Sequence, residues 1–188
     1  MKLPVVRYGG TIRLAATAAD LHAALDEIRS ERVVGVDTET RPTFRKGQSH
    51  APSLVQIAAS QTVYLFPVAR FDCSQPLTEI LTSPQIVKAG VALSRDLVDL
   101  QRLFQFTPAN VVDLGDIARR RGMEQTGVRN LTGLFLGGRI TKGLQTSNWA
   151  RAHLSPQQLC YAATDAWICR ELYLRFESLG WLTPPPPH

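Results

Sequence analysis

Four consecutive apolar residues, Val33-Val34-Gly35-Val36, run directly into Asp37-Thr38-Glu39. A short β-branched apolar run reads as a strand buried on both faces, the kind found at the centre of a sheet covered by helices. Side chains alternate along a strand, so Asp37 and Glu39 project from the same face, roughly 7 Å apart. Two carboxylates so placed repel each other, and the arrangement is costly unless a cation lies between them. A strand end that emerges into water gives the same pattern, and an isolated D-x-E arises easily by chance. Any fold for this chain must bury the strand and still find a use, or an outlet, for its acidic end.

The elements around that strand alternate. The spacing of Leu21, Leu25 and Ile28 predicts a helix over 18–29, with Thr17 available as its cap. Residues 54–58 and 62–66 are apolar runs joined by Ala59-Ser60-Gln61, which predicts a hairpin and antiparallel pairing. A short helix over 77–81, a strand over 86–90 and a helix over 95–104 follow, the last with Leu97, Leu100, Leu103 and Phe104 facing inward. Val111-Val112-Asp113 is a short strand before a helix over 114–121. A small helix lies near 131–136, then a glycine-rich loop to Asn148. Ser155-Pro156 opens a long helix that runs to about Leu179, with the serine as cap and the proline in the first turn. The prolines after Thr183 cannot continue it, and the tail 183–188 is expected to be disordered. Strands interleaved with helices, plus one hairpin, give an α/β chain around a mixed sheet.

At 188 residues the chain is sized for one domain. With 44% hydrophobic residues it can bury a core, and no apolar run is long enough to cross a bilayer, so no membrane partner is expected. Its three cysteines, Cys73, Cys160 and Cys169, have no C-x-x-C spacing. That excludes a disulfide scaffold and a cysteine-based zinc site, and a cytoplasmic setting is the expectation. The net charge of +5 hints at a polyanionic partner, and all but four of the 21 basic residues are arginines, which suit bidentate phosphate contacts. An arginine-rich, lysine-poor chain is equally what a GC-rich genome produces.

Two further acidic positions stand out. Tyr161 and Asp165 lie at i and i+4 on the long helix, hence on one face, among the small residues Ala162, Ala163 and Ala166. A tyrosine anchoring the core beside a surface aspartate is the commoner meaning of that pair. Asp96 falls in the opening turn of the helix after residues 86–90, where the helix dipole alone favours an acid. Asp99 is expected to face solvent, and Asp113 to cap the next helix.

Taken in order, Asp37-x-Glu39, Asp96 and Tyr161-x-x-x-Asp165 resemble the DEDDy 3′→5′ exonucleases, especially the Werner-syndrome exonuclease domain and the ribonuclease D catalytic domain. The likeness runs from about Val33 to Leu179. It takes in Pro52–Ala58, Lys88–Asp96, Ser147-Asn148-Trp149 and Leu154–Gln158. The resemblance implies an RNase H-like fold, a five-stranded mixed sheet flanked by helices, with a catalytic core over about 31–180. It implies two divalent cations, Mg²⁺ or Mn²⁺, with Asp37 bridging both, Glu39 and Asp165 completing one site, and Asp96 supporting the other partly through water. Glu39 then also meets the terminal 3′-hydroxyl of a DNA or RNA strand, and Tyr161 orients the attacking water. Thr40 departs from relatives, which often carry a larger apolar residue there to wedge the terminal base.

The implied chemistry suits those residue types. Two metals roughly 3.5–4 Å apart activate a water and relieve charge on the leaving oxygen, and carboxylates supply the hard oxygen ligands they need. Tyrosine, with an ordinary pKa near 10, is a poor base at neutral pH but can position a water. The loop after Glu39 carries Arg41, Phe44, Arg45 and Lys46, candidates for gripping backbone phosphates and contacting a base; Lys142 is another phosphate candidate. A solvated basic loop is the alternative. His22, His50 and His153 are expected to be structural or solvent-facing, and Trp149 a plug beside the long helix. Competing functions are a nucleic-acid-binding adaptor on the same fold and an RNase H-type endonuclease. The four clustered acids disfavour the adaptor.

Overall fold

The computed structural model describes residues 3–44, 47–141 and 143–183. In chain order the elements are β1 (Thr11–Leu14), α1 (Ala18–Ile28), β2 (Val33–Glu39), β3 (Leu54–Ala58), β4 (Thr62–Phe66) and α2 (Ser74–Thr82). They continue with β5 (Val87–Gly90), α3 (Leu93–Leu100), β6 (Val111–Asp113), α4 (Leu114–Arg120), α5 (Val128–Leu136) and α6 (Pro156–Ser178). The strands form one mixed sheet in the order β1-β4-β3-β2-β5-β6. β3 runs antiparallel to both β2 and β4, as the hairpin signal predicts, while β5 pairs parallel with β2 and β6.

Six strands replace the expected five. The addition is β1, which pairs parallel with β4 at the sheet edge and leaves Thr11, Arg13 and Leu14 exposed. An exposed edge strand carries no buried alternation, so its sequence gives no strand signal.

The parity of β2 decides what each face of the sheet holds. Val34 and Val36 point into an apolar layer with Leu25 and Ile28 of α1, Leu77, Ile80 and Leu81 of α2, and Leu93 and Leu97 of α3. Gly35, and with it Asp37 and Glu39, faces α6. The helix lies very close: a Cβ on Gly35 would sit 2.0 Å from the carbonyl oxygen of Ala166 and 2.7 Å from the Arg170 amide nitrogen. Ala162, Ala163 and Ala166 are fully buried along that contact. Small residues on both sides let the helix backbone approach the strand, which bulkier side chains would prevent.

Capping fixes where the helices begin. Thr17 and Asp20 close a capping box on α1, and Ser155 and Gln158 close another on α6. Each cap contributes about 1 kcal/mol. Asp113 caps α4 by accepting from the Gly115 and Asp116 amides, and its second oxygen accepts from the Leu93 amide at the start of α3. α3 therefore starts two residues earlier than expected and stops at Leu100, so Leu103 lies outside it and is exposed instead of inward-facing. Asp96 stays in its first turn. Among the described residues no helix is long and apolar enough to cross a membrane. The expected disorder of the tail falls, from Pro184 onward, outside the described residues.

Candidate active site

Strand β2 delivers Asp37 and Glu39, and α6 delivers Tyr161 and Asp165 one turn apart on the face that meets the strand. Carboxylate oxygens of Asp37, Glu39 and Asp165 all lie within 4.8 Å of one another. Glu39 and Asp165 are each only 7% exposed. Asp96, at the start of α3, stands outside this trio yet close enough to bear on both Asp37 and Glu39. The structure thus brings three of the four acids into one cluster and holds the fourth beside it.

Burial dominates the electrostatics. It pushes the carboxyls of Asp37 and Glu39 well above the ordinary range, and the neighbouring acids push them further. Burial raises Asp165 to about 7, against the opposing pull of Arg129 and of the Tyr161 hydroxyl. Asp96 is raised to about 6, mainly by burial, with the Thr38 hydroxyl pulling the other way. The Tyr161 phenol is raised by burial and then by Asp165 and Glu39, so it is a neutral hydroxyl throughout the physiological range. Among the described residues no Lys, Arg or His forms an ion pair with any of these four acids.

Converging buried carboxylates without ion-pair partners are the donor set of a hard divalent cation, since an all-oxygen site favours Mg²⁺ or Mn²⁺ over softer metals. Gln56 is a second unmet polar group here. It pairs directly across from Asp37 in the β2–β3 ladder, on the same face, and is fully buried with neither end of its amide hydrogen-bonded. The residues present fit a bound cation.

The acids open onto a cleft of about 490 Å³ whose other lining comes from the segment leading into α5, the start of α5 and the loop before α6: Gln125, Arg129, Asn130 and Gln145. Sequence reasoning missed this lining. Arg129 is one of many arginines, and the available signal was its position: a cation in the first turn of a helix sits against the helix dipole. The loop before α6 is tied down by Gln158, whose amide nitrogen donates to Ser147 Oγ at 2.6 Å. Trp149 is buried against Tyr161, with ring centroids 5.9 Å apart, the plug that the sequence implies.

Other candidates fall elsewhere. Arg41 and Phe44 line a separate groove of about 420 Å³ with His50, Thr146 and Asn148, next to the carboxylate cleft but not within it. The Arg41 guanidinium lies 3.1 Å from His50 Nδ1, and the Phe44 ring is 92% exposed. Arg45, Lys46 and Lys142 lie outside the described residues. Asp99 pairs with Arg102 at the surface, and His22 and His153 are exposed.

Residues 12–181 match the family model described as "3'-5' exonuclease". The chain belongs to the 3′-5′ exonuclease family. Among its relatives are a 3′-5′ exonuclease of Arabidopsis thaliana, 32% identical over 90% of this chain and 65% of that protein, and the mouse bifunctional 3′-5′ exonuclease/ATP-dependent helicase WRN, 29% identical over 95% of this chain and 13% of that protein. Ribonuclease D of Gluconacetobacter diazotrophicus is 32% identical over 85% of this chain and 41% of that protein. The chain therefore spans less than two thirds of the length of each of these relatives. Among solved structures, the Nibbler EXO domain of Aedes aegypti superposes with a TM-score of 0.81 at 23% identity, covering 99% of this chain and 95% of that one. Escherichia coli RNase D gives 0.78 at 24% identity, covering 92% and 47%. These superpositions establish the RNase H-like fold, here with β1 added at the sheet edge.

Proposed function

We propose that this chain hydrolyses DNA or RNA from the 3′ end, releasing nucleoside 5′-monophosphates, with divalent cations held by its acidic cluster. The observation that carries the proposal is the convergence of Asp37, Glu39 and Asp165 within 4.8 Å, with Asp96 beside them and Tyr161 one turn from Asp165. Asp37, Glu39 and Asp165 would hold one cation, and Asp37 with Asp96 would hold a second. When bound, such ions lower the pKa of a water and neutralise charge that develops on the leaving oxygen.

The chain's own groups do the positioning. Tyr161, kept neutral by its buried and acidic surroundings, hydrogen-bonds a water in line with the terminal phosphorus. Glu39 holds the terminal 3′-hydroxyl, which restricts attack to the last linkage. The water gives up a proton to solvent as its oxygen bonds to phosphorus, the bond from phosphorus to the 3′-oxygen of the preceding nucleotide breaks, and that oxygen takes up a proton from solvent and leaves as a new 3′-hydroxyl. The groove with Arg41 and Phe44 holds strand upstream of the scissile bond, the arginine on phosphate and the exposed ring on a base. Arg45, Lys46 and Lys142 are proposed to add phosphate contacts.

The test is digestion of 3′-labelled and 5′-labelled RNA and DNA, single- and double-stranded, with Mg²⁺ or Mn²⁺ and with EDTA. The expected result is mononucleotide release from the 3′ label at once, a descending ladder from the 5′ label, and silence with EDTA. Binding without shortening would make the chain an adaptor. Cleavage of a circular strand would make it an endonuclease.

A further inference from the structure

Lining the cleft with the acids is a cation that the carboxylate motifs do not include. Arg129 stands in the first turn of α5, half-buried, and lines the same cleft as Asp37, Glu39, Tyr161 and Asp165. Its Nη2 donates to Gln145 Oε1 at 3.0 Å, a neutral acceptor, and among the described residues it forms no ion pair. Besides Gln145, the guanidinium lies against the Tyr161 hydroxyl, and a five-donor fork keeps donors to spare beyond these two neighbours. Its place at the positive end of α5 works against helix stability, since cations are favoured at the opposite end. A surface arginine that served solubility would have no reason to sit there.

A phosphodiester brought to the acidic cluster carries negative charge on oxygens that the carboxyl groups themselves cannot pair with. An arginine lining the same cleft supplies the matching charge, with a planar fork that fits two phosphate oxygens. Arg129 also acts on both Tyr161 and Asp165 electrostatically, so it lies close to the reacting groups and not far along the strand path. We propose that Arg129 binds the non-bridging oxygens of the scissile phosphate and, braced by Gln145, holds that phosphate against the acidic cluster. This inference rests on the exonuclease reading and names the group that receives the substrate's charge at the same site.

The experiment compares wild type with Arg129→Gln, Arg129→Ala, Arg129→Lys and Gln145→Ala on two substrates. One is a 3′-labelled oligonucleotide. The other is the p-nitrophenyl ester of thymidine 5′-monophosphate, which has the scissile phosphate and no upstream ones. Arg129→Gln and Arg129→Ala should lose about 10²-fold in kcat/KM on both substrates, the scale of removing one preorganised charge-stabilising donor. Arg129→Lys should lose less. Added guanidinium ion should restore several-fold activity to Arg129→Ala at unchanged melting temperature, which a structural role does not predict. Gln145→Ala, which leaves the arginine in place, should lose activity on both substrates and keeps the test decisive if an Arg129 variant fails to fold. Variants within threefold of wild type on both substrates overturn the proposal. Loss confined to the oligonucleotide overturns it too, by placing Arg129 on an upstream phosphate. If wild type cleaves neither substrate, the exonuclease reading itself falls.

Discussion

Gly35→Ala should damage the site without touching any group that does chemistry. The added methyl would lie 2.0 Å from the Ala166 carbonyl oxygen, whereas Cβ contacts below 3.0 Å are essentially never seen, so β2 and α6 must separate by about 1 Å. Both obstacles, the Ala166 carbonyl and the Arg170 amide, are backbone, so rotamer changes cannot relieve the clash. Overpacking of this kind costs about 1–3 kcal/mol, and a backbone-on-backbone clash belongs at the upper end. The same separation moves Asp165, next to Ala166, away from Asp37 and Glu39, two and four residues beyond the glycine. A misplacement of about 1 Å costs about 10²-fold in rate, or about 2.7 kcal/mol on the barrier. Urea unfolding and single-turnover cleavage measure the two effects. Gly9→Ala, where nothing lies within 4 Å of the added carbon, is the control and should change neither. A Gly35→Ala protein with wild-type stability and rate would refute the claim that the strand–helix approach sets the carboxylate geometry.

Asp37→Ala and Asp165→Ala should each reduce turnover on the order of 10⁴-fold, as expected for members of one catalytic unit, and mononucleotide release over time measures it. Tyr161→Phe should slow kcat by about 10²-fold and leave KM nearly unchanged, because it positions a water and not the strand. Phe44→Ala should instead raise KM about tenfold on single strands, in line with about 1–3 kcal/mol for one base stack, and Arg41→Ala should flatten the salt dependence of binding. Without divalent ions, stability should fall between about pH 4 and pH 8. Asp96 and Asp165 keep their protons in the fold up to about 6 and about 7, whereas the same acids ionise near 4 when unfolded. The unfolded chain then binds fewer protons, so the stability held below pH 4 is lost, on the order of a few kcal/mol, as pH rises through the folded values. Mn²⁺ should reverse this, raising the melting temperature more at pH 8 than at pH 5.

The acids were legible because strand parity and helical spacing are local rules. Asp37 and Glu39 share a face whatever the fold, and Tyr161 and Asp165 share one on any helix. What sequence spacing leaves open is the distance between those faces, and Gly35 with the alanines of α6 supplies it through a contact between residues 131 apart in the chain. β1 escaped notice because its exposed side chains follow no apolar period. The bounds of α3 were missed because Asp113, from β6, caps its start across a tertiary contact. Arg129 escaped notice for a similar reason: in sequence it is one arginine among many, and only the packing of α5 against α6 turns it toward the acids. The candidates for gripping the strand were the hardest to place, since Arg41 and Phe44 follow Glu39 closely in sequence yet open onto a neighbouring groove.

Anomalous diffraction at the manganese edge, from crystals soaked in Mn²⁺ with a non-cleavable 3′-terminal dinucleotide, addresses the acidic cluster itself. The expected map shows manganese peaks bounded by Asp37, Glu39 and Asp165, with Asp96 at the second peak, and none in an Asp37→Ala crystal. Protein that cleaves strands in Mn²⁺ while these carboxylates remain free of metal would contradict the account.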